Sequence, residues 1–293
     1  MANYYKTNAI YNSLPYGENF IWVSGNAWIL IYGDKQSNPK IITLVYGKSW
    51  EKQSHIIEFV KFLSKNVKLP ILFIEFNDQE NHLIESVLVS SDANNYEEIS
   101  LHALKKLFQK SGLDIKDEAC AKYLNDKTSS AYHVWQRNSL GYNITVSDID
   151  LVRLHNSKYV ELIELKRSYK EVSDWKPYRD DYANFNLLYR LSVSLNLCFT
   201  IAYNQRVTKP NFSDIKEPLS IFEYTITSVT KIADKITFQD FINGIYHVYF
   251  SSNTKYENVP FCNIEIADLE ILSKITTRHK EKAILELKRR NGN

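Results

Sequence analysis

Apolar and polar residues recur along this chain with two different periods, and the changes between them mark out its elements. Short apolar runs at 20–24 and 27–32, joined through Gly25-Asn26, and a third at 41–46 predict strands. Over 51–66 the period lengthens. Ile56, Phe59, Val60 and Leu63 stand at i, i+3, i+4 and i+7, one face of a helix. Pro70 precedes a strand at 71–76, and 82–89 predicts another. Residues 90–95, Ser-Ser-Asp-Ala-Asn-Asn, read as a linker. A helix is then predicted over 97–111, with Leu101, Leu104 and Phe108 as its buried stripe and Gly112 as its stop. Further helices follow near 118–124 and over 129–140, and a short strand over 142–146.

The next stretch carries the densest pattern. Ser147-Asp148-Ile149-Asp150-Leu151-Val152-Arg153-Leu154 and Tyr159-Val160-Glu161-Leu162-Ile163-Glu164-Leu165-Lys166 flank the polar loop His155-Asn156-Ser157-Lys158. This reads as a β-hairpin. Alternation puts Asp148, Asp150, Val152 and Leu154 on one face of the first strand. It puts Val160, Leu162, Glu164 and Lys166 on one face of the second. If the two faces coincide, two Asp, one Glu and one Lys gather at one end of the hairpin. Beyond it, a helix starts at Pro177, with Asp180 and Asp181 in its first turn and two apolar stripes, Leu187/Leu191/Leu195 and Phe185/Leu188/Tyr189. A strand at 197–203 follows, then a loop-like stretch at 206–220, a strand at 221–229, and helices at 237–246 and 267–290, the last ending in Lys288-Arg289-Arg290.

Carboxylates beside buried apolar residues lose hydration and repel one another. A divalent cation relieves both costs, and Asp and Glu oxygens suit Mg²⁺, which takes one or two protein carboxylates and keeps several waters. Lys166 would point into the same space, where it could orient a water or steady a phosphate. The chemistry implied is metal-assisted attack of water on a phosphodiester. The plainer alternative is a solvated hairpin face with ordinary ion pairs. Against it, Leu162 and Ile163 sit between charges, with Val160 and Leu165 outside them, so both faces of this strand look buried. A second Glu-x-Lys, Glu286-Leu287-Lys288, lies in a helical context, where residues two apart do not face each other.

Asp150, thirteen intervening residues, then Glu164-Leu165-Lys166 on a strand resembles the PD-(D/E)XK nuclease superfamily, over roughly residues 97–204. The resemblance implies a restriction-endonuclease-like α-β-β-β-α-β core of mixed α/β class. It also implies that Asp150 and Glu164 hold Mg²⁺ (Mn²⁺ can substitute), that the Leu165 carbonyl is a further ligand, and that Lys166 is the catalytic lysine. Asp148 stands where some members carry an extra acidic residue. The family's proline before the leading Asp is absent; Val146-Ser147-Asp148-Ile149-Asp150 stands instead. Glu97, Glu98 and Glu118 are the acidic residues available upstream, and each also suits an N-terminal helical turn. For the nucleic-acid backbone the sequence offers Arg137, Arg167, Lys170 and Lys176, the last three close behind the Glu-x-Lys and near Trp175.

Composition narrows the classes without choosing among them. The chain has 293 residues, 44% hydrophobic and 24% charged, with a net charge of +2, so any nucleic-acid surface must be local rather than global. Three widely spaced cysteines give neither a zinc pattern nor a disulfide framework, which fits a reducing cytoplasm. No run of 18 apolar residues and no signal-peptide pattern occurs, so a membrane role is not expected. The seven histidines form no His-x-His or His-x-x-x-His pair, which argues against a histidine metal site. The expected organisation is an α/β module at 1–92 for recognition, sensing or dimerisation, a nuclease core at 93–205, and an extension at 206–293. The expected activity is Mg²⁺-dependent endonucleolytic cleavage of DNA, in restriction or phage defence, with a homodimer as the candidate assembly. The alternatives are a structure-specific repair or recombination nuclease, and a nuclease-like fold that binds nucleic acid without cutting it.

Overall fold

Among the described residues, twelve strands divide between two six-stranded sheets. The computed structural model describes residues 8–15, 19–79, 85–116, 130–207, 214–244 and 246. In chain order the elements are β1 (Phe20–Ile21), β2 (Ala27–Asp34), β3 (Pro39–Gly47), α1 (Ser54–Val67), β4 (Ile71–Phe76), β5 (Ser86–Ser90), β6 (Glu97–Ser100), α2 (Leu101–Lys110) and α3 (Ala131–Ser139). They continue with β7 (Ile144–Asp148), β8 (Leu151–His155), β9 (Lys158–Ser168), α4 (Tyr182–Leu195), β10 (Cys198–Arg206), β11 (Asp214–Tyr224), β12 (Val229–Ile236) and α5 (Phe238–Asn243). The protein is thus of mixed α/β class. The helices expected near 118–124 and over 267–290 lie outside the described residues. No described helix is long and apolar enough to cross a membrane.

The chain forms two compact units. The first is built from the described parts of Trp22–Ile149 and Arg179–Leu195. Its sheet runs β6-β5-β4-β3-β2-β7. Only β3 and β4 pair in parallel, and α1 supplies the crossover that a parallel pair requires. Strands flanked by helices on both sides must be apolar on both faces. β2, Ala-Trp-Ile-Leu-Ile-Tyr-Gly-Asp, meets that demand. On one face Leu30 and Tyr32 join a core with Leu104 and Phe108 of α2 and Tyr132 and Trp135 of α3. α4 packs on β2, β3 and β7 and against α1. At Gly33 a Cβ would lie 2.6 Å from Leu187 Cδ1, so this close approach of α4 needs glycine.

The helix predicted over 97–111 starts at Leu101. Ser100 is its N-cap and accepts a hydrogen bond from Ala103 N–H, while Glu97 and Glu98 pair with β5 as strand residues. α3 is capped by Ser130, which takes the N–H of His133 and bonds its Nδ1. Burial, helped by Arg137, holds the His133 imidazole down at about 4.

The second unit is built from the described parts of Thr7–Ile21, Asp150–Tyr178 and Asn196–Asn293. Its sheet runs β1-β8-β9-β10-β11-β12, with β9 antiparallel to β8 and parallel to β10. Its last part departs from the pattern reading. Two strands, β11 and β12, replace the loop at 206–220 and the single strand at 221–229. Their turn is fixed by Thr225 and Ser228, whose backbone and side-chain groups bond each other. α5 opens with a capping box between Thr237 and Asp240.

Helix, three strands, helix and strand follow one another in the chain as α3, β7, β8, β9, α4 and β10. In space β7 pairs with β2 in the first sheet, and α4 belongs to the first unit. The single strand predicted over 147–154 is two strands in two sheets. Ile149 N–H bonds to Ile29 on the first sheet, and pairing with β9 begins at Leu151.

One buried ion pair ties the second unit together. Glu161 on β9 and Arg153 on β8 are cross-strand partners, with Arg153 Nε 2.8 Å from Glu161 Oε2. Thr200 and Tyr246 donate to the same carboxylate. The rest of the guanidinium donates to the Phe241 and Ile242 carbonyls and to Tyr246. The bonds to Phe241 and Ile242 tie α5 to β8, and the carboxylate joins β8, β9 and β10.

Glu161→Ala is expected to cost about 3–5 kcal/mol in chemical denaturation, because it strands a buried guanidinium. Arg153→Met with Glu161→Leu should recover much of that loss, and equal losses in the single and double variants would exclude the buried-charge explanation. A second prediction concerns pH. His133 titrates lower in the folded protein than in the unfolded chain, so the unfolded chain takes up the proton first as pH falls. Its neutral form therefore supports the fold fully above about pH 6.5, and this support is lost as pH falls toward 4, by up to about 3 kcal/mol. His133→Gln should flatten the stability curve over that window relative to wild type, and parallel curves would contradict the assignment.

Candidate active site

The β8–β9 hairpin closes through Asn156 and Ser157, both left-handed with φ of 48° and 61°. Two such residues give a connection whose twist matches the strands. The expected four-residue loop is thereby shortened to two, with His155 and Lys158 paired across it. This turn, and one irregularity between Arg153 and Leu154, set the register that places Leu151 opposite Ile163 and Val152 opposite Leu162.

Alternation along β9 then divides its charges. Leu162, Glu164, Lys166 and Ser168 share one face; Glu161, Ile163, Leu165 and Arg167 share the other. Asp150 stands just ahead of β8. Its Oδ2 accepts the Leu165 N–H at 2.8 Å, so its carboxylate takes the place of a ladder carbonyl. That amide belongs to the peptide joining Glu164 to Leu165. The carboxyl of Asp150 is therefore fixed beside the backbone of Glu164, although thirteen residues lie between them in sequence. Tyr11 donates to the Asp150 carbonyl at 2.9 Å and holds this junction from the other side.

Glu164 is buried, with its side chain 5% exposed, and Oε1 lies 2.9 Å from Lys166 Nζ. Residues two apart on a strand project to the same side, and the long lysine stem folds back to reach the carboxylate. Lys166 keeps 26% of its side chain exposed, so its ammonium faces both the buried carboxylate and solvent. On β10 its register partner is Tyr203, whose ring stacks on Trp175 with centroids 4.2 Å apart and planes 2° from parallel.

The structure thus brings together Asp150, Glu164, Leu165 and Lys166. Asp148 belongs to the first unit, in β7 opposite Leu30, and Arg137 lies there too, at the end of α3. Arg167 points to the far face and pairs with Asp214, which also binds Arg206; its side chain is 9% exposed. That ion pair gives Arg167 a structural task. Lys170 and Lys176 are exposed on a segment pinned by its own carbonyls. The Tyr203 hydroxyl bonds the carbonyls of Ser168 and Lys170, while Ser220 and Lys231 donate to Val172. Lys170 Nζ stands 5.5 Å from the Tyr178 ring centre. Glu118 lies outside the described residues.

Among the described residues no three His, Cys, Asp or Glu side chains form a ready metal cage. The donor set fits Mg²⁺ on other grounds. The ion takes hard oxygen ligands and needs only one or two protein carboxylates, the rest being water and substrate. Asp150, Glu164 and the Leu165 carbonyl offer such oxygens, and a cation would offset the cost of burying the two carboxylates.

Two residues that shape the site escaped the sequence pattern. Tyr11 gives no linear signal. Trp175 was legible only as an aromatic among basic residues, yet its ring stacks on Tyr203, the register partner of Lys166. Arg153 did leave a trace: an arginine inside the buried run Leu151-Val152-Arg153 must have a buried acidic partner. Neither family models, curated proteins nor solved structures contain a match to this chain.

Asp150→Ala should destabilise the protein by about 1–3 kcal/mol, since it leaves the Leu165 N–H buried without its acceptor. Asp150→Asn keeps an acceptor oxygen and should cost less. Denaturation midpoints of both variants check this, and equal midpoints for wild type and Asp150→Ala would show that the carboxylate does not hold the strand.

Proposed function

We propose that the protein is a divalent-metal-dependent nuclease that hydrolyses DNA phosphodiester bonds, acting in restriction or phage defence. The observation that carries this reading is the hydrogen bond from the Leu165 amide to Asp150, which fixes one carboxylate beside the backbone of Glu164, whose own carboxylate pairs with Lys166. Two carboxylates and one ammonium at the end of a hairpin form the chemistry that the Asp-x₁₃-Glu-x-Lys spacing implies. A purely structural role would be served more cheaply by apolar residues of the same volume.

Asp150 and Glu164, with the Leu165 carbonyl, would hold the ion. When bound, Mg²⁺ supplies Lewis-acid polarisation of the scissile phosphate and a lowered pKa for attacking water. The protein's own residues do the rest. The Leu165 N–H and Tyr11 keep Asp150 from rotating away. Lys166 Nζ places a positive charge and up to three hydrogen-bond donors beside Glu164, where it can align a water or a phosphate oxygen. Exposed Lys170 and Lys176 would meet the backbone of the nucleic acid.

The purified full chain is expected to cleave DNA with Mg²⁺ or Mn²⁺ and not with chelator. Asp150→Asn, Glu164→Gln and Lys166→Met should each lower the rate by at least about 10²-fold, on the scale of losing one transition-state contact, while binding to DNA persists. Gel assays on several DNAs, modified and unmodified, provide the check. Undiminished cleavage in the variants would remove this site from the mechanism. Metal-independent binding without cleavage of any DNA or RNA would instead favour a nuclease-like fold used only for binding.

A further inference from the structure

Lys166 lies on the carboxylate that a metal would need. Its Nζ is 2.9 Å from Glu164 Oε1, at ion-pair distance, and Glu164 is nearly sealed from water. A buried carboxylate must be neutralised from nearby, and here the lysine supplies that charge. A divalent cation arriving at Glu164 meets this ammonium and must displace it or share the carboxylate with it. Both cost free energy: displacement breaks a poorly hydrated ion pair, and sharing sets two positive charges against each other across a few ångströms.

We propose that Lys166 is the built-in counter-ion of Glu164, in competition with the divalent cation for that carboxylate. The inference rests on the metal-site reading above and adds to it the direction in which the lysine acts on metal affinity. Its consequence runs opposite to what a purely catalytic lysine would give. Removing the ammonium destroys activity, yet it strengthens cation binding.

The local architecture supports an ammonium that can move. Arg153, the counter-ion of the other buried glutamate on β9, is fixed by carbonyls and a hydroxyl on all sides and its side chain is 6% exposed. Lys166 is 26% exposed and carries a compact charge on a flexible stem. It can swing toward solvent or substrate when Glu164 is neutralised by another cation. The swing also leaves the ammonium at the rim of the site, where an incoming phosphate would meet it. Metal loading would then turn Lys166 from the carboxylate toward the substrate.

The test is Mn²⁺ binding to the full chain without nucleic acid, read by calorimetry and by the electron paramagnetic resonance of free Mn²⁺. Wild type is compared with Lys166→Met, Lys166→Gln, Lys166→Arg and Glu164→Gln. Lys166→Met and Lys166→Gln are expected to bind Mn²⁺ about tenfold tighter or more, with a larger rise of the unfolding midpoint on adding Mn²⁺ than wild type shows. Lys166→Arg should bind like wild type or more weakly, and Glu164→Gln should lose the site. Lys166→Gln retains a hydrogen-bond donor to Glu164 and keeps the test valid if Lys166→Met folds poorly. Unchanged or weaker binding in both neutral variants, with loss in Glu164→Gln, would overturn the counter-ion role and leave the metal site standing. Equal affinity in wild type and Glu164→Gln, or no binding in any of the proteins, would overturn the metal-site reading and the counter-ion role with it.

Discussion

Two glutamates on one buried strand set the terms for the second unit of this protein. Glu161 and Glu164 stand three residues apart on β9 and so face opposite sides of the sheet. Each carboxylate loses its water when the strand is covered, and each must find positive charge or hydrogen bonds within the fold. Glu161 obtains them from Arg153, Thr200 and Tyr246, drawn from β8, β10 and the stretch after α5. Those elements can assemble in only one register if the charge is to be met. Glu164 obtains an ammonium from its own strand, two residues on.

The difference between the two sides follows from the cations. Arginine is planar, always charged and able to fill several acceptors at once, which suits a permanent internal tie. Lysine is a point charge on a flexible stem and can exchange partners. One strand thereby carries a fully buried arginine pair on one face and a partly exposed lysine pair on the other. Asp150 belongs with the second of these. Its carboxylate replaces a backbone acceptor at the first residue where β8 and β9 would otherwise pair, so the end of the ladder and the candidate site are the same place.

Much of this was legible from residue order. The buried strand 159–166, the hairpin that contains it, and the shared face of Glu164 and Lys166 follow from a period of two and from apolar residues on both sides. The helix over Ile56, Phe59, Val60 and Leu63 follows from a period near four. Other features were hidden. The pattern of 147–154 is that of a single strand, and no residue in it announces a break. The break exists because Ile149 pairs on one sheet and Leu151 on the other, a competition settled by partners more than a hundred residues away in one case. Glu97 and Glu98 carry helix-compatible side chains, but pairing with β5 outweighs propensity and moves the cap to Ser100. Arg167 reads as a basic residue beside a phosphate site until Asp214, 47 positions on, is seen to pair with it.

Sequence by itself determined the local alternation, and with it which charged side chains of β9 share a face, because that depends only on the two-residue repeat of an extended chain. It also determined that Glu164 and Lys166 would stand together. Tertiary structure decided that Asp150 bonds the backbone between them. Asp148 and Asp150 are equivalent in pattern, and the partition of the chain at Ile149 gives Asp148 to one sheet and Asp150 to the other. It decided the burial of Arg153 and Glu161 and the diversion of Arg167 as well. Those outcomes depend on which distant backbone and side-chain groups come within hydrogen-bond reach, and the spacing of residues along the chain carries no record of that.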